Sequence, residues 1–158
     1  MLSYFKKRSH GFTLIELLIV ITIITSLFVI VPVAYQNAQK TARDAKRKTD
    51  LEQIRSALEI YRNDCGTYPS NAQLKFGDQL VGSALSCSGN MYIQKVPQDG
   101  SNPKYKYVYC FGCNPNVSYV ICANMENPSN KSSCISGGTI CGDNCGLNTS
   151  CNYSVCNP

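Results

Sequence analysis

Residues 12–31 form an almost unbroken apolar run, and the pattern of the chain changes character immediately after it. About 20 residues at a rise of about 1.5 Å match a bilayer core of roughly 30 Å. Beyond Pro32 the small and apolar positions recur at three- and four-residue steps: Ala34, Ala38, Ala42 and Ala45, then Leu51, Ile54, Leu58 and Tyr61. Lys40, Arg43, Lys46, Arg47, Asp50 and Glu52 fill the other face. The pattern predicts one helix from about 12 to about 62, roughly 75 Å long. Its first half can bury only against lipid or other helices, and its second half carries a stripe for a small domain. Asn63-Asp64-Cys65-Gly66 ends it, with the glycine as C-cap.

Past the helix the period drops to two. Lys104–Phe111 alternates aromatic with other residues and predicts a half-buried strand. Val117–Met125 predicts a second, with Gly112-Cys113-Asn114-Pro115-Asn116 as the connection. The Gly-, Asn-, Ser- and Cys-rich tail from Asn127 reads as cross-linked loops, with room for short strands. The expected fold class is α+β: a long N-terminal helix on a small antiparallel sheet, followed by disulfide-rich loops. The expected division is 1–11, 12–35, 36–62 and 63–158: leader, membrane and assembly helix, its amphipathic continuation, and globular domain.

Composition sharpens this division. All ten cysteines fall within residues 65–158, a density that marks a disulfide scaffold in an oxidising compartment. The candidates are Cys65, Cys87, Cys110, Cys113, Cys122, Cys134, Cys141, Cys145, Cys151 and Cys156. Their even number permits five bridges, with connectivity open. Cys110-Phe-Gly-Cys113 also admits a redox reading, and with Cys141 and Cys145 a thiolate zinc site; structural bridges are favoured over both. The net charge of +5 includes Lys6, Lys7 and Arg8, and without them 12 basic residues face 10 acidic ones. That balance carries no argument for nucleic acid. The single histidine is His10, so the domain has no imidazole for a triad or a His-rich metal site. No carboxylate pair or phosphate-cradling glycine motif is visible, the scattered acids read as solvated surface, and no enzyme is expected.

Three readings of the apolar run compete. A secretory signal would be shorter and would end in a small-x-small site, which is missing before Pro32. An ordinary signal anchor fits the hydropathy, but not Glu16, an acid five residues into the run that needs a partner there. Cleavage between Gly11 and Phe12 would supply one. The new Phe12 ammonium would lie one turn from Glu16 and could pair with it in the same or an adjoining chain, setting neighbouring helices in register. The five Lys/Arg between Lys40 and Lys48 argue for a cytoplasmic C-terminal side. The cysteine load argues more strongly for export.

Lys6-Lys7-Arg8-Ser9-His10-Gly11-Phe12-Thr13-Leu14-Ile15-Glu16 resembles the class III signal of type IV prepilins and type II secretion pseudopilins. The resemblance implies cleavage after Gly11 by a prepilin peptidase, N-methylation of Phe12 and an assembly role for Glu16. Pro32 matches the proline that bends such helices, one residue early. Residues 51–70 and 91–109 are similar to the end of the helix and the approach to the sheet in the major pseudopilin. The implied protein is a single-pass subunit of the bacterial cytoplasmic (inner) membrane with an exported C-terminal domain. It would polymerise with itself and minor pilins, extracted by a platform and an ATPase, with no nucleic acid partner. A type IV pilus subunit for adhesion, motility or DNA uptake is the alternative within the class. A non-polymerising membrane-anchored binding module is the alternative outside it. No cofactor is expected from the residues. The resemblance admits calcium, but no Asp-rich ligand spacing occurs, and Asp99, Glu126 and Asp143 are the only acids after Asp78.

Overall fold

The computed structural model describes residues 11–114, 117–130, 132, 145 and 150–157. Helix α1 spans Leu14–Cys65. Short strands β1 (Leu80–Val81) and β2 (Met91–Ile93) form an antiparallel pair. Strands β3 (Val108–Asn114), β4 (Val117–Ala123) and β5 (Tyr153–Cys156) form an antiparallel sheet in the order β3-β4-β5. A 3₁₀ turn covers Pro128–Asn130. By packing, the chain divides into residues 1–39 and 40–158.

Within 40–158, the buried face of α1 is Leu51, Ile54, Leu58, Tyr61 and Cys65, at steps of three and four. It packs with Tyr68, Leu74, Leu80, Val96, Tyr107, Tyr109, Tyr119, Ile121 and Val155 in one core. This is the expected helix on a small antiparallel sheet. The helix runs three residues beyond its expected end because Cys65 is itself core. Gly66 then stops it at φ +79°, its amide donating to the Arg62 carbonyl at 2.8 Å, the left-handed cap that glycine takes without a Cβ penalty.

Two expectations are corrected, and one strand pair is new. Ala42 and Ala45 are exposed, and the buried stripe continues backwards through Asp44 and Arg47 instead. Alanine offers too little area to choose a face, whereas these two charged groups find partners inside. The first long strand starts at Val108 rather than Lys104, because 101–105 form turns around the cis Asn102–Pro103 bond. The pair β1–β2 was not foreseen at all. It is closed by the Cys65–Cys87 disulfide and a tight loop, Gly82 lying so near Cys87 that a Cβ there would collide with its carbonyl oxygen.

The helix is continuous at Pro32, which lies in a stretch (29–34) described by its backbone alone. Among the described residues no helical segment is long and apolar enough to cross a membrane. The membrane-spanning expectation for 12–35 therefore rests on the sequence.

Candidate functional site

The residues expected to serve processing and assembly lie together at the start of α1. Gly11, Phe12 and Thr13 precede the helix and are exposed, and a Cβ built on Gly11 would meet nothing within 4 Å. The Gly11–Phe12 bond is thus accessible, non-helical backbone, as a peptidase requires. Thr13 is the N-cap and Glu16 the third helical residue. The Glu16 amide donates to Thr13 Oγ1 at 3.3 Å, while the Thr13 amide and hydroxyl donate to Glu16 Oε2 at 2.9 and 2.8 Å. This is a reciprocal capping box, and it satisfies helix-end donors that would otherwise need water. Thr13 thus supplies Glu16 with donors besides the Phe12 ammonium expected after cleavage, and Thr-x-x-Glu before an apolar run is the box's own signature. Both contacts use Oε2, so Oε1 retains its lone pairs for a donor from elsewhere.

The apolar surface that follows is uncovered. Twelve large side chains from Phe12 to Phe28 are 45–87% exposed, distributed around the whole helix. At about 1.5–3 kcal/mol for full burial of each, covering them releases on the order of 10 kcal/mol or more. The hydroxyls inside this stretch are already satisfied. Thr22 donates to the Ile19 carbonyl (2.7 Å), Thr25 to Ile21 (2.8 Å) and Ser26 to Ile23 (2.8 Å). Hydroxyls turned back onto the backbone suit a helix that must pass through lipid or pack among other helices.

The cysteines are cross-linked as the composition required. Cys65 pairs with Cys87 and Cys145 with Cys151, while Cys110, Cys122 and Cys156 are also disulfide-bonded. No described cysteine is free. Cys110 and Cys145 are thus bonded sulfurs rather than thiolates in this structure. The side chain of Cys113, and all of Cys134 and Cys141, lie outside the described residues.

Asp64 and Asp78 are exposed, as expected, but three other acids are not solvated surface. Asp44 and Asp99 are buried, and the Glu126 side chain is only 11% exposed. Arg47, whose side chain is 3% exposed, donates from Nε to Asp99 Oδ2 at 2.6 Å and from Nη1 to Asp44 Oδ1 at 2.9 Å. Its Nη1 also lies 3.0 Å from Glu126 Oε1. Arg43 grips Glu126 with two bonds, at 2.8 and 2.7 Å. Asp44 further accepts the backbone amides of Glu126 (2.9 Å) and Asn127 (2.8 Å) and the side-chain amide of Asn130 (3.2 Å). Burial pushes the Asp44 carboxyl up, but these donors together outweigh it and hold it below its ordinary value. The Arg43 bonds, and then Arg47, likewise hold Glu126 down against burial. Nothing local marks these residues, because Arg47 and its acids are separated by up to 79 positions.

Among the described residues no group of three or more His, Cys, Asp or Glu is placed to hold a metal ion. The acids that do converge have their oxygens occupied by Arg43, Arg47 and amides. The calcium admitted by resemblance does not fit them, and Asp143 lies outside the described residues.

An accessible glycine junction, a capped Glu16 and a bare apolar helix joined to a cross-linked α+β domain define a prepilin-type subunit. Residues 6–32 match the prokaryotic N-terminal methylation motif, and residues 34–122 match type II secretion system (T2SS), protein G. The chain belongs to the type II secretion system protein G family. It is 33% identical over 108 residues to the type II secretion system core protein G of Klebsiella pneumoniae, covering 63% of this chain and 74% of the relative. It is 34% identical over 101 residues to that of Aeromonas hydrophila, covering 60% and 68%. No solved structure matches the chain at a significant level.

Proposed function

We propose that this chain is a structural, non-catalytic subunit of a type II secretion pseudopilus, made as a membrane-inserted precursor. The carrying observation is the uncovered apolar helix that starts at an exposed Gly11–Phe12 junction and a capped Glu16. A monomeric anchor needs the apolar run but neither the junction nor the acid. Family membership supports the secretion type over an adhesive, motile or DNA-uptake pilus.

In this reading residues 12–35 hold the precursor in the cytoplasmic (inner) membrane, with Pro32 available to bend the helix and 63–158 exported. A prepilin peptidase adds water across the Gly11–Phe12 amide, leaving a Gly11 carboxylate and a Phe12 ammonium, which is then N-methylated. The new cation adjoins Thr13, whose amide already reaches Glu16 Oε2. Oε1 is left to accept from a neighbouring chain's Phe12 when the platform and ATPase extract the subunit. Each docked helix then covers part of the next, together with minor subunits of the filament. Residues 36–62 anchor the globular domain on the outside.

Intact mass and N-terminal sequencing of the unreduced protein from membranes test this first. The expected chain begins at methylated Phe12 and carries its cysteines as disulfides. A chain that starts at Met1 with free thiols would overturn both processing and export. Glu16→Leu should then insert and be cleaved normally but form no filaments; normal filaments from that variant would refute the pairing.

A further inference from the structure

Arg47 stands where three segments of the domain meet: its own helix, the loop holding Asp99, and the segment after β4 that holds Glu126. Its guanidinium reaches a carboxylate from each, at 2.6 Å (Asp99), 2.9 Å (Asp44) and 3.0 Å (Glu126). The Tyr105 ring covers it at 4.6 Å. A divalent ion in a loop-rich domain gathers carboxylates from distant segments, neutralises them and excludes water. Arg47 does all three while tethered to the helix. Two guanidiniums face three carboxylates, and the surplus charge is absorbed at Asp44. There the amides of Glu126, Asn127 and Asn130 fill the acceptor positions that Arg47 leaves. Asp99 Oδ1 is likewise taken, by the Ser101 amide at 2.8 Å. The remaining Arg47 nitrogen, Nη2, is buried without an acceptor among the described residues. It keeps positive potential at the centre of the cluster, which opposes entry of a second cation.

We propose that Arg47 is a built-in cation that clasps this domain in the role a bound divalent ion would otherwise fill, so that the folded domain does not depend on calcium. The inference stands on the described acids alone and is independent of the filament reading.

The test uses the full-length oxidised chain in detergent micelles, with thermal unfolding followed by near-UV circular dichroism in excess calcium chloride and in excess EDTA. The wild-type midpoints should coincide. Arg47→Met should lower the midpoint by about 10 °C in both buffers, because three carboxylates lose a shared buried partner. Arg47→Lys should fall between, since one ammonium lacks the fork that reaches Asp99 and Glu126 together. A wild-type midpoint that drops on chelation overturns the proposal, as does an Arg47→Met midpoint equal to wild type. Should Arg47→Met not fold, the wild-type comparison and Arg47→Lys decide it alone.

Discussion

Removing the Cys65–Cys87 bridge by the double substitution Cys65→Ala/Cys87→Ala isolates what a cross-link does for a domain with so short a sheet. The bridge joins the last residue of α1 to the loop between β1 and β2, across 22 positions. Closing a loop of that size removes unfolded-chain entropy equivalent to about 3.4 kcal/mol at room temperature. The Cys145–Cys151 bridge closes only 6 positions, and the same relation gives about 2.2 kcal/mol. Bonds at Cys110, Cys122 and Cys156 remain in both variants, so each figure is an upper value. Their order should survive. Both sulfurs of the first bridge lie in the main apolar core, and Cys145 is buried in a second cluster with Cys151 packed against it, so lost packing accompanies both variants. The assay is urea unfolding of the full-length chain in detergent under non-reducing conditions. Cys65→Ala/Cys87→Ala is expected to lose about 3 kcal/mol and Cys145→Ala/Cys151→Ala about 2 kcal/mol. A reversed order, or a loss below about 1 kcal/mol for the first pair, would refute the loop-entropy account.

Two further outcomes follow from the core and the ion cluster. The carboxyls of Asp44 and Glu126 are held below their ordinary values in the folded state, so their contribution is complete above the unfolded carboxylate range and is lost as pH falls through the native values. The thermal midpoint should therefore stay level from neutral pH down to about 5 and fall below about 4; a decline already complete by pH 5 would point to other groups. Leu58→Ala, at a side chain with no exposure, should cost about 2–5 kcal/mol in the same urea assay with an unchanged slope, and a loss under about 1 kcal/mol would mean the helix does not form the core described.

Much of the N-terminal region was legible because its determinants are local. An apolar run, a glycine junction and Glu16 are read in order along the chain, and so is Thr-x-x-Glu, though its capping role became plain only from the bonds to Oε2. The stripe from Leu51 to Tyr61 was legible too, since large apolar side chains at helical spacing can satisfy themselves in only one way. Cysteine number foretold cross-linking but not pairing, because which sulfurs meet depends on how distant segments fold. The face of α1 around Asp44 and Arg47 was misread for the same reason. A charged residue is normally solvated, and only Asp99 and Glu126, 52 and 79 positions beyond Arg47, turn it inward. Strands β1, β2 and β5 have only two to four residues, too short for periodicity to announce. Sequence by itself thus determined the class of protein and its helix, because those rest on contacts within one or two turns. Tertiary structure alone decided the ion cluster, the disulfide partners and the sheet edges, because their energies exist only once segments far apart in the chain have met.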